Sequence, residues 1–504
     1  GEGPSCAAGK ASISIEQTGS IGNCMSYDLN EKATQSVKWS LLTEVLVKLI
    51  SPITQLVLAR ILAPEAFGVV ATVTMVTSFA DMLSDSGFQN YLVQHDFDDA
   101  EKLRKSANVA FWTNLFISLF LWLLIGLFQD PLACLVGNPG LGPVLAIASL
   151  SLPLTAFASI QLALYRRSFD FKTLMPIRTI VALVPLVLTV PLALFGWGYW
   201  SLIIGTIVGN LVNAIALTMM SSWKPQLFYS IVLLKEMFSF SAWSLLEAIA
   251  IWLTSWAGTF VVGSLLNTYY LGLYKQPMTF VNSAFALVTN ATTPVLFSSL
   301  SRLQDDRPEF RTFYSKFQFS VGMFVVPLGV GIFFFRNFLT DLLLGPEWTE
   351  ASLMLGAWGF STGLAIVFSH YCSEVYRSLG KPKVSLLSQC LYMFAMIPSL
   401  YFSANAGFQC LVVVNAAIRV VGIAINQVLL WRIAEISPTE TFFRLRTPLV
   451  ASSLMGVVAW CVSNAVGSSW LLNIGGIVFC AAAYVAFCLI FSDGRTFIRS
   501  LLRR

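Results

Sequence analysis

The residues best equipped for chemistry in this chain are charges set inside long apolar stretches. The segment at 39–68, WSLLTEVLVKLISPITQLVLARILAPEAFG, carries Glu44 and Lys48 one helical turn apart, then Pro52 and Arg60. Arg419 stands in a later apolar stretch and Lys275 at the edge of another, and the acids Asp81, Asp85 and Glu247 also lie within apolar stretches. A charge held near mid-bilayer costs about 2.5–3.5 kcal/mol on insertion scales, so such groups usually face a bundle interior or a wet cavity. Two kinds of work are open to them: attraction of an oppositely charged solute, and proton exchange at a desolvated carboxylate. Covalent and metal chemistry is poorly supplied. His95 and His370 are the only histidines, and the nine cysteines show no C-x-x-C spacing. Buried free thiols are therefore expected rather than a metal site. Without a P-loop the chain carries no nucleotide-driven motor. It is not expected to be an enzyme, to hold a cofactor or to bind nucleic acid.

Such charges need helices to position them. The chain has 504 residues, of which 56% are hydrophobic and 11% charged, and its mean hydropathy is +0.73. Soluble domains are about 25% charged, so an all-α polytopic membrane protein is expected. Apolar windows of about 20 residues predict fourteen spans: 39–61, 67–90, 106–128, 141–164, 176–195, 198–221, 240–263, 277–300, 317–335, 352–376, 384–402, 407–431, 447–466 and 469–491. Pro52, Pro153, Pro185, Pro294, Pro327 and Pro398 are candidate bends. Trp39, Tyr91, Trp197, Trp223 and Trp348, near span ends, are expected to anchor at the interface. Residues 1–38 are polar; 1–24, ahead of the first methionine Met25, are expected to be non-native or disordered.

Loop charges test the span count. With the N-terminus inside, 24 of the 31 basic residues fall in or beside inside segments, and only Arg60, Lys275 and Arg336 at outside edges. This split follows the positive-inside rule and predicts cytoplasmic termini. A repeat gives the architecture. Trp39-Ser40-Leu41-Leu42 matches Trp243-Ser244-Leu245-Leu246, and ILAPEAFG ending at Gly68 matches LLNTYYLG ending at Gly272, both at an offset of 204. Tyr165-Arg166 matches Tyr376-Arg377, and Gly198 matches Gly407. Six spans per repeat make the two halves parallel, a plan common in secondary transporters whose substrate path lies between lobes. The expected organisation is a polar segment at 1–38, an N-lobe at 39–221, an inter-lobe linker at 222–239 and a C-lobe at 240–432. A linker at 433–446, two extra helices within 447–491 and a basic tail at 492–504 complete it.

KWS at 38–40, VLARIL at 57–62 with FG at 67–68, FADMLSDSGFQN at 79–90, LQDD at 303–306 and LLGPEWTEA at 343–351 carry a family resemblance. From about Met25 onward the chain resembles the Wzx-type polysaccharide flippases, especially the colanic-acid-type exporters. These form a branch of the superfamily that includes the MATE drug exporters and the lipid II flippase. The resemblance implies movement of an undecaprenyl-pyrophosphate-linked oligosaccharide from the cytoplasmic to the periplasmic leaflet of a bacterial inner membrane. Partners would be the lipid-linked oligosaccharide, the bilayer and a polysaccharide polymerase or export complex. It also implies that helices 13 and 14 form a groove for the lipid tail.

Lys48 lies about 14 Å into the first span and Arg419 about 18 Å into the twelfth, at 1.5 Å per residue. These are the deepest cations, one per lobe, and suit a crossing pyrophosphate. Arg60 and Lys275 would attract it nearer the outer mouth. The competing reading pairs Lys48 with Glu44 at i,i+4 and has Arg419 serve a contact between helices. Asp81, Asp85 and Glu247 are ion-coupling candidates, with Glu44 beside them. Asp85 matches the family's LSD-x-G stretch, Asp81 its preceding acidic position, and Glu247 an acidic position in related chains. Asp85 could equally cap a helix or pair with a loop base. The rivals in function are a drug/cation antiporter, which would want an anionic pocket, and a glycan polymerase or ligase. The latter would need a larger outer loop than 129–140 or 336–351 provides.

Overall fold

A computed structural model describes residues 50–502 except 86, 96, 98, 169 and 468; the side chains of 94, 171, 239–244, 246, 247, 466, 501 and 502 are also left undescribed. Glu44 and Lys48 therefore lie outside the described residues, as do Trp39 and the segment 1–38. Of Glu247 only the backbone is described.

The described residues contain helices and no strand. Among the described residues, thirteen helices are long and apolar enough to cross a membrane, and Ile50–Ile61 (α1), the described part of the expected first span, is a shorter apolar helix. The first half continues with α2 (Pro64–Asp85), α3 (Ala100–Leu127), α4 (Gly142–Arg167), α5 (Lys172–Leu194) and α6 (Tyr199–Met220). The second comprises α7 (Ile231–Leu265), α8 (Thr268–Arg302), α9 (Arg307–Phe334), α10 (Pro346–Ser378), α11 (Pro382–Asn405) and α12 (Phe408–Ala434). Then follow α13 (Arg446–Val466) and α14 (Trp470–Ile490). Only helices or closed barrels satisfy every backbone group in lipid, which is why these sequences fold as they do. Large apolar side chains such as Phe116, Val187, Phe394 and Leu471 are exposed on the bundle's outside. Neutral polar groups turn inward: Asn114 donates to Ser159 at 2.7 Å and accepts from Ser84, tying α2, α3 and α4 together.

The repeat is visible in local geometry. Gly198 and Gly407 each precede their helix, α6 or α12, at positive φ (54° and 108°), a region glycine enters without penalty. Gly68 of α2 packs against the Thr268 carbonyl of α8, and Gly272 of α8 packs against the Pro64 carbonyl of α2. Each contact is the other shifted by one repeat, so the halves cross through a reciprocal pair of side-chain-free positions.

Several boundaries differ from the hydropathy reading. α2 ends at Asp85, and a left-handed Gly87 (φ 78°) starts a separate short helix, Phe88–Gln94. α7 begins at Ile231, inside the expected linker. The tail contains a helix, Ser492–Leu502. Pro185 opens a π-helical turn at Pro185–Thr189. A second π turn, Ile366–His370 in α10, contains no proline. There the Val367 and Phe368 carbonyls accept from Gln318 of α9 (2.7 Å) and Gln427 of α12 (2.5 Å). Such turns leave carbonyls free for partners outside the helix.

Three of the expected interface anchors are instead packed inside. Trp348 is fully buried, its indole N–H donating to the Ala59 carbonyl at 2.9 Å, while Tyr91 and Trp223 sit in an apolar cluster. Their span-end positions coincide with tertiary contacts, which override the interface preference. Trp197 is half exposed.

Candidate functional site

A cavity of about 1100 Å³ lies between α8 and α9 on one side and α13 and α14 on the other. Its lining is nearly all apolar: Phe280, Val281, Ala284 and Leu287 from α8, Phe324, Pro327 and Leu328 from α9, Met455 from α13, and Ile477, Ala481 and Val485 from α14. Ser51, Ser283 and Tyr484 are the hydroxyl side chains in the wall, and Tyr484 donates to the Met323 carbonyl at 2.9 Å. Ser51, Pro52, Ile53 and Leu56 of α1 complete it. Since α1 belongs to the first half and α8 to the second, the groove opens at the seam between them.

Arg60 stands one helical turn beyond Leu56. Its Nη2 donates to the carbonyls of Asp341 (2.8 Å) and Leu342 (2.7 Å), and its guanidinium lies 5.8 Å from the Trp470 ring. Asp341 and Leu342 fall in the last turn of the helix Arg336–Leu343, whose carbonyls lack intrahelical partners. A cation there also complements the helix dipole. Arg60 thus joins the two halves at the same end as Trp348, beside the groove residues Leu339 and Leu343.

Arg419 is half-buried within the second half. Its guanidinium carbon stands 3.5 Å from the Trp358 ring centroid, and Nη1 donates to Thr362 at 2.9 Å. Tyr274 and Tyr392 are its electrostatic neighbours. The Trp358 indole in turn donates to Asn282 at 3.0 Å. Asn282 is flanked in α8 by the groove residues Val281 and Ser283, so Arg419 is linked to the groove wall through one ring and one amide. Lys275 rests 4.1 Å above the Trp256 ring, with Thr259 at 3.5 Å.

The acids lie in the first half. Asp81 and Asp85, one turn apart near the end of α2, are electrostatic neighbours; Asp85 also faces Gln89 and Arg166. Among the described residues, none of Arg60, Lys275, Arg419, Asp81 and Asp85 joins an ion pair. The structure therefore collects Arg419 and Lys275 in one half and the two aspartates in the other. Residue types had pointed to the charges but not to the rings of Trp358 and Trp256 beneath two of them. In sequence those tryptophans look like any other in an apolar span. Gln55 and Gln276, bonded across the halves at 3.1 Å, were likewise not separable from other neutral polar residues.

Thirteen described membrane-length helices, a repeated local geometry and an apolar groove at the seam define a polytopic membrane protein of the two-lobed transporter fold. The solved lipid II flippase MurJ in its inward closed conformation shares that fold, with a TM-score of 0.75 and 13% identity, over 92% of this chain and 100% of that one. The chain belongs to the polysaccharide biosynthesis protein family, which matches residues 57–353. Among its relatives, the succinoglycan biosynthesis transport protein ExoT of Rhizobium meliloti (strain 1021) is 28% identical over 331 residues, 66% of each chain. The lipopolysaccharide biosynthesis protein WzxC of Escherichia coli (strain K12) is 25% identical over 365 residues, 71% of this chain and 70% of that one. These two matches span about two thirds of each relative's own length.

Proposed function

We propose that this protein flips undecaprenyl-pyrophosphate-linked oligosaccharide units from the cytoplasmic to the periplasmic leaflet of a bacterial inner membrane. The units would serve exopolysaccharide, capsule or O-antigen-type biosynthesis and pass to a polymerase or export complex. The observation that carries this reading is the apolar groove of about 1100 Å³ opening at the seam between the halves. An acyl or prenyl chain fits such a wall, whereas a soluble drug has no need of one. The family and the names of the relatives support it.

The charged pyrophosphate would travel between the lobes, attracted by Lys48 and Arg419 and, toward the outer mouth, by Lys275 and Arg60. Arg60 would also hold the halves together there. Asp81, Asp85, Glu247 and Glu44 are the groups through which an ion gradient would act. Both termini lie in the cytoplasm in this scheme, because that places the basic loops inside. The lobes, 39–221 and 240–432, would rock about the reciprocal glycine crossing of α2 and α8.

The test is transbilayer movement of an undecaprenyl-pyrophosphate-linked oligosaccharide in liposomes with and without the protein, beside a cationic dye. Movement of the lipid-linked sugar alone is expected. Movement of the dye alone would replace this reading with a drug antiporter, and would turn attention to Asp81 and Glu247.

A further inference from the structure

The helix Ser492–Leu502 (α15) follows α14 directly and has two unlike edges. One edge closes an end of the groove. Phe497 and Ile498 belong to its lining, and the Phe497 ring lies 5.8 Å from Phe319 and 6.0 Å from Phe324 of α9. Gly494 is buried against the Cys488 carbonyl and Thr447, folding α15 back onto α13 and α14. Asp493 pairs with Arg446 at 3.6 Å. The other edge carries Arg495 and Arg499, both exposed. Arg495 donates to the Leu489 carbonyl at 3.2 Å, and Arg499 has no described partner.

An amphipathic helix with a basic outer edge, attached to the end of a membrane span, lies in the headgroup plane. We propose that α15 is a surface strap whose Arg495 and Arg499 bind the headgroups of anionic phospholipids. This contact holds Phe497 and Ile498 across that end of the groove. Charge complementarity selects the occupant. The two guanidiniums sit where headgroup phosphates lie, and each basic residue near an anionic surface strengthens binding about fivefold. The consequence for transport rests on the groove being a lipid-tail site, but the lipid contact does not.

Hydrogen exchange of the amides at 492–502, in the full chain held in nanodiscs, reads the contact without any transport substrate. Phosphatidylglycerol added to phosphatidylcholine should slow that exchange. The double variant Arg495→Gln, Arg499→Gln should need about 25-fold more anionic lipid surface for the same protection. Inorganic phosphate with phosphatidylcholine alone should give none. Phe497→Ala should keep the lipid response while speeding exchange in the α9 segment around Phe319 and Phe324, on which its ring packs. Equal exchange in the two lipid compositions, protection by free phosphate, or an undiminished lipid response in the double variant would each overturn the proposal. A chain that shows the lipid response yet moves no lipid-linked sugar would leave α15 a lipid strap and remove the flippase reading instead.

Discussion

Arg419 is a cation held in a membrane interior with no carboxylate beside it among the described residues. Its accommodation is local. A cation–π contact contributes about 0.5–2 kcal/mol and a charged hydrogen bond about 1.5–3 kcal/mol. Together these are comparable with the cost of about 2.5–3.5 kcal/mol for a charge at mid-bilayer. Trp358 and Thr362 therefore suffice to hold the guanidinium, and on the proposed path its other N–H donors would meet the pyrophosphate. Arg419→Ala should slow flipping in the liposome assay by tenfold or more, and Arg419→Lys should recover most of the rate by keeping the charge. Trp358→Leu should also slow flipping, by about two- to thirtyfold, by letting the cation drift. An Arg419→Ala protein that flips at the wild-type rate would remove this residue from the path. Asp81 is tested differently: Asp81→Asn should flatten the dependence of flipping on an imposed pH gradient, and an unchanged dependence would exclude it from coupling. Sequence alone singled out Arg419 and Asp81, because a charge in an apolar window is conspicuous within a few residues. Trp358 was not visible in this role, since only the fold brings α10 and α12 together; the Arg419–Thr362 bond spans 57 residues.

At the scale of elements, the crossing of α2 and α8 is the sharpest constraint. A Cβ at Gly68 would meet the Thr268 carbonyl, and one at Gly272 the Pro64 carbonyl, in both cases rigid backbone. Overpacking costs about 1–3 kcal/mol, and each 1.4 kcal/mol is a factor of ten in a population. Gly68→Ala or Gly272→Ala should therefore shift the balance away from the closed crossing by about five- to a hundredfold. Faster amide exchange at 64–72 and 268–276 would report it, with other helix ends unchanged. The double variant should add little, because one displaced crossing relieves both clashes. Exchange at the wild-type rate in both single variants would show that the crossing yields cheaply. The two glycines matched at an offset of 204 in the sequence, so the existence of a repeat was legible. That they meet each other was not, because periodicity carries no information on which copies touch. The failure at Trp348 has the same origin: the end of a span and the join between the halves look alike in hydropathy.

For the whole molecule, the groove combines parts that are far apart in the chain. α1 stands at one end of the sequence and α14 near the other, with α8 and α9 between them. Composition announced a membrane protein, and thirteen described helices are long and apolar enough to span one, yet every apolar span reads as lipid-facing until its neighbours are known. The groove is what remains when α13 and α14 pack on α9 through Met323, Val330, Met455 and Tyr484 and leave the α8 side open. A bulky side chain placed there should separate its role from that of the cations. Ala481→Trp on α14 and Ala284→Trp on α8 add an apolar ring to a wall with room for it, so folding should be retained and thermal stability should change little. Flipping of a substrate with the full-length prenyl chain should fall by tenfold or more. A short-chain analogue with the same pyrophosphate head should be far less affected, because it has no long tail to seat in the groove. Arg419→Ala should do the reverse and slow both substrates alike. If the tryptophan variants slow long and short chains equally, the groove does not hold the tail. If they slow neither, the space between α8 and α14 takes no part in transport.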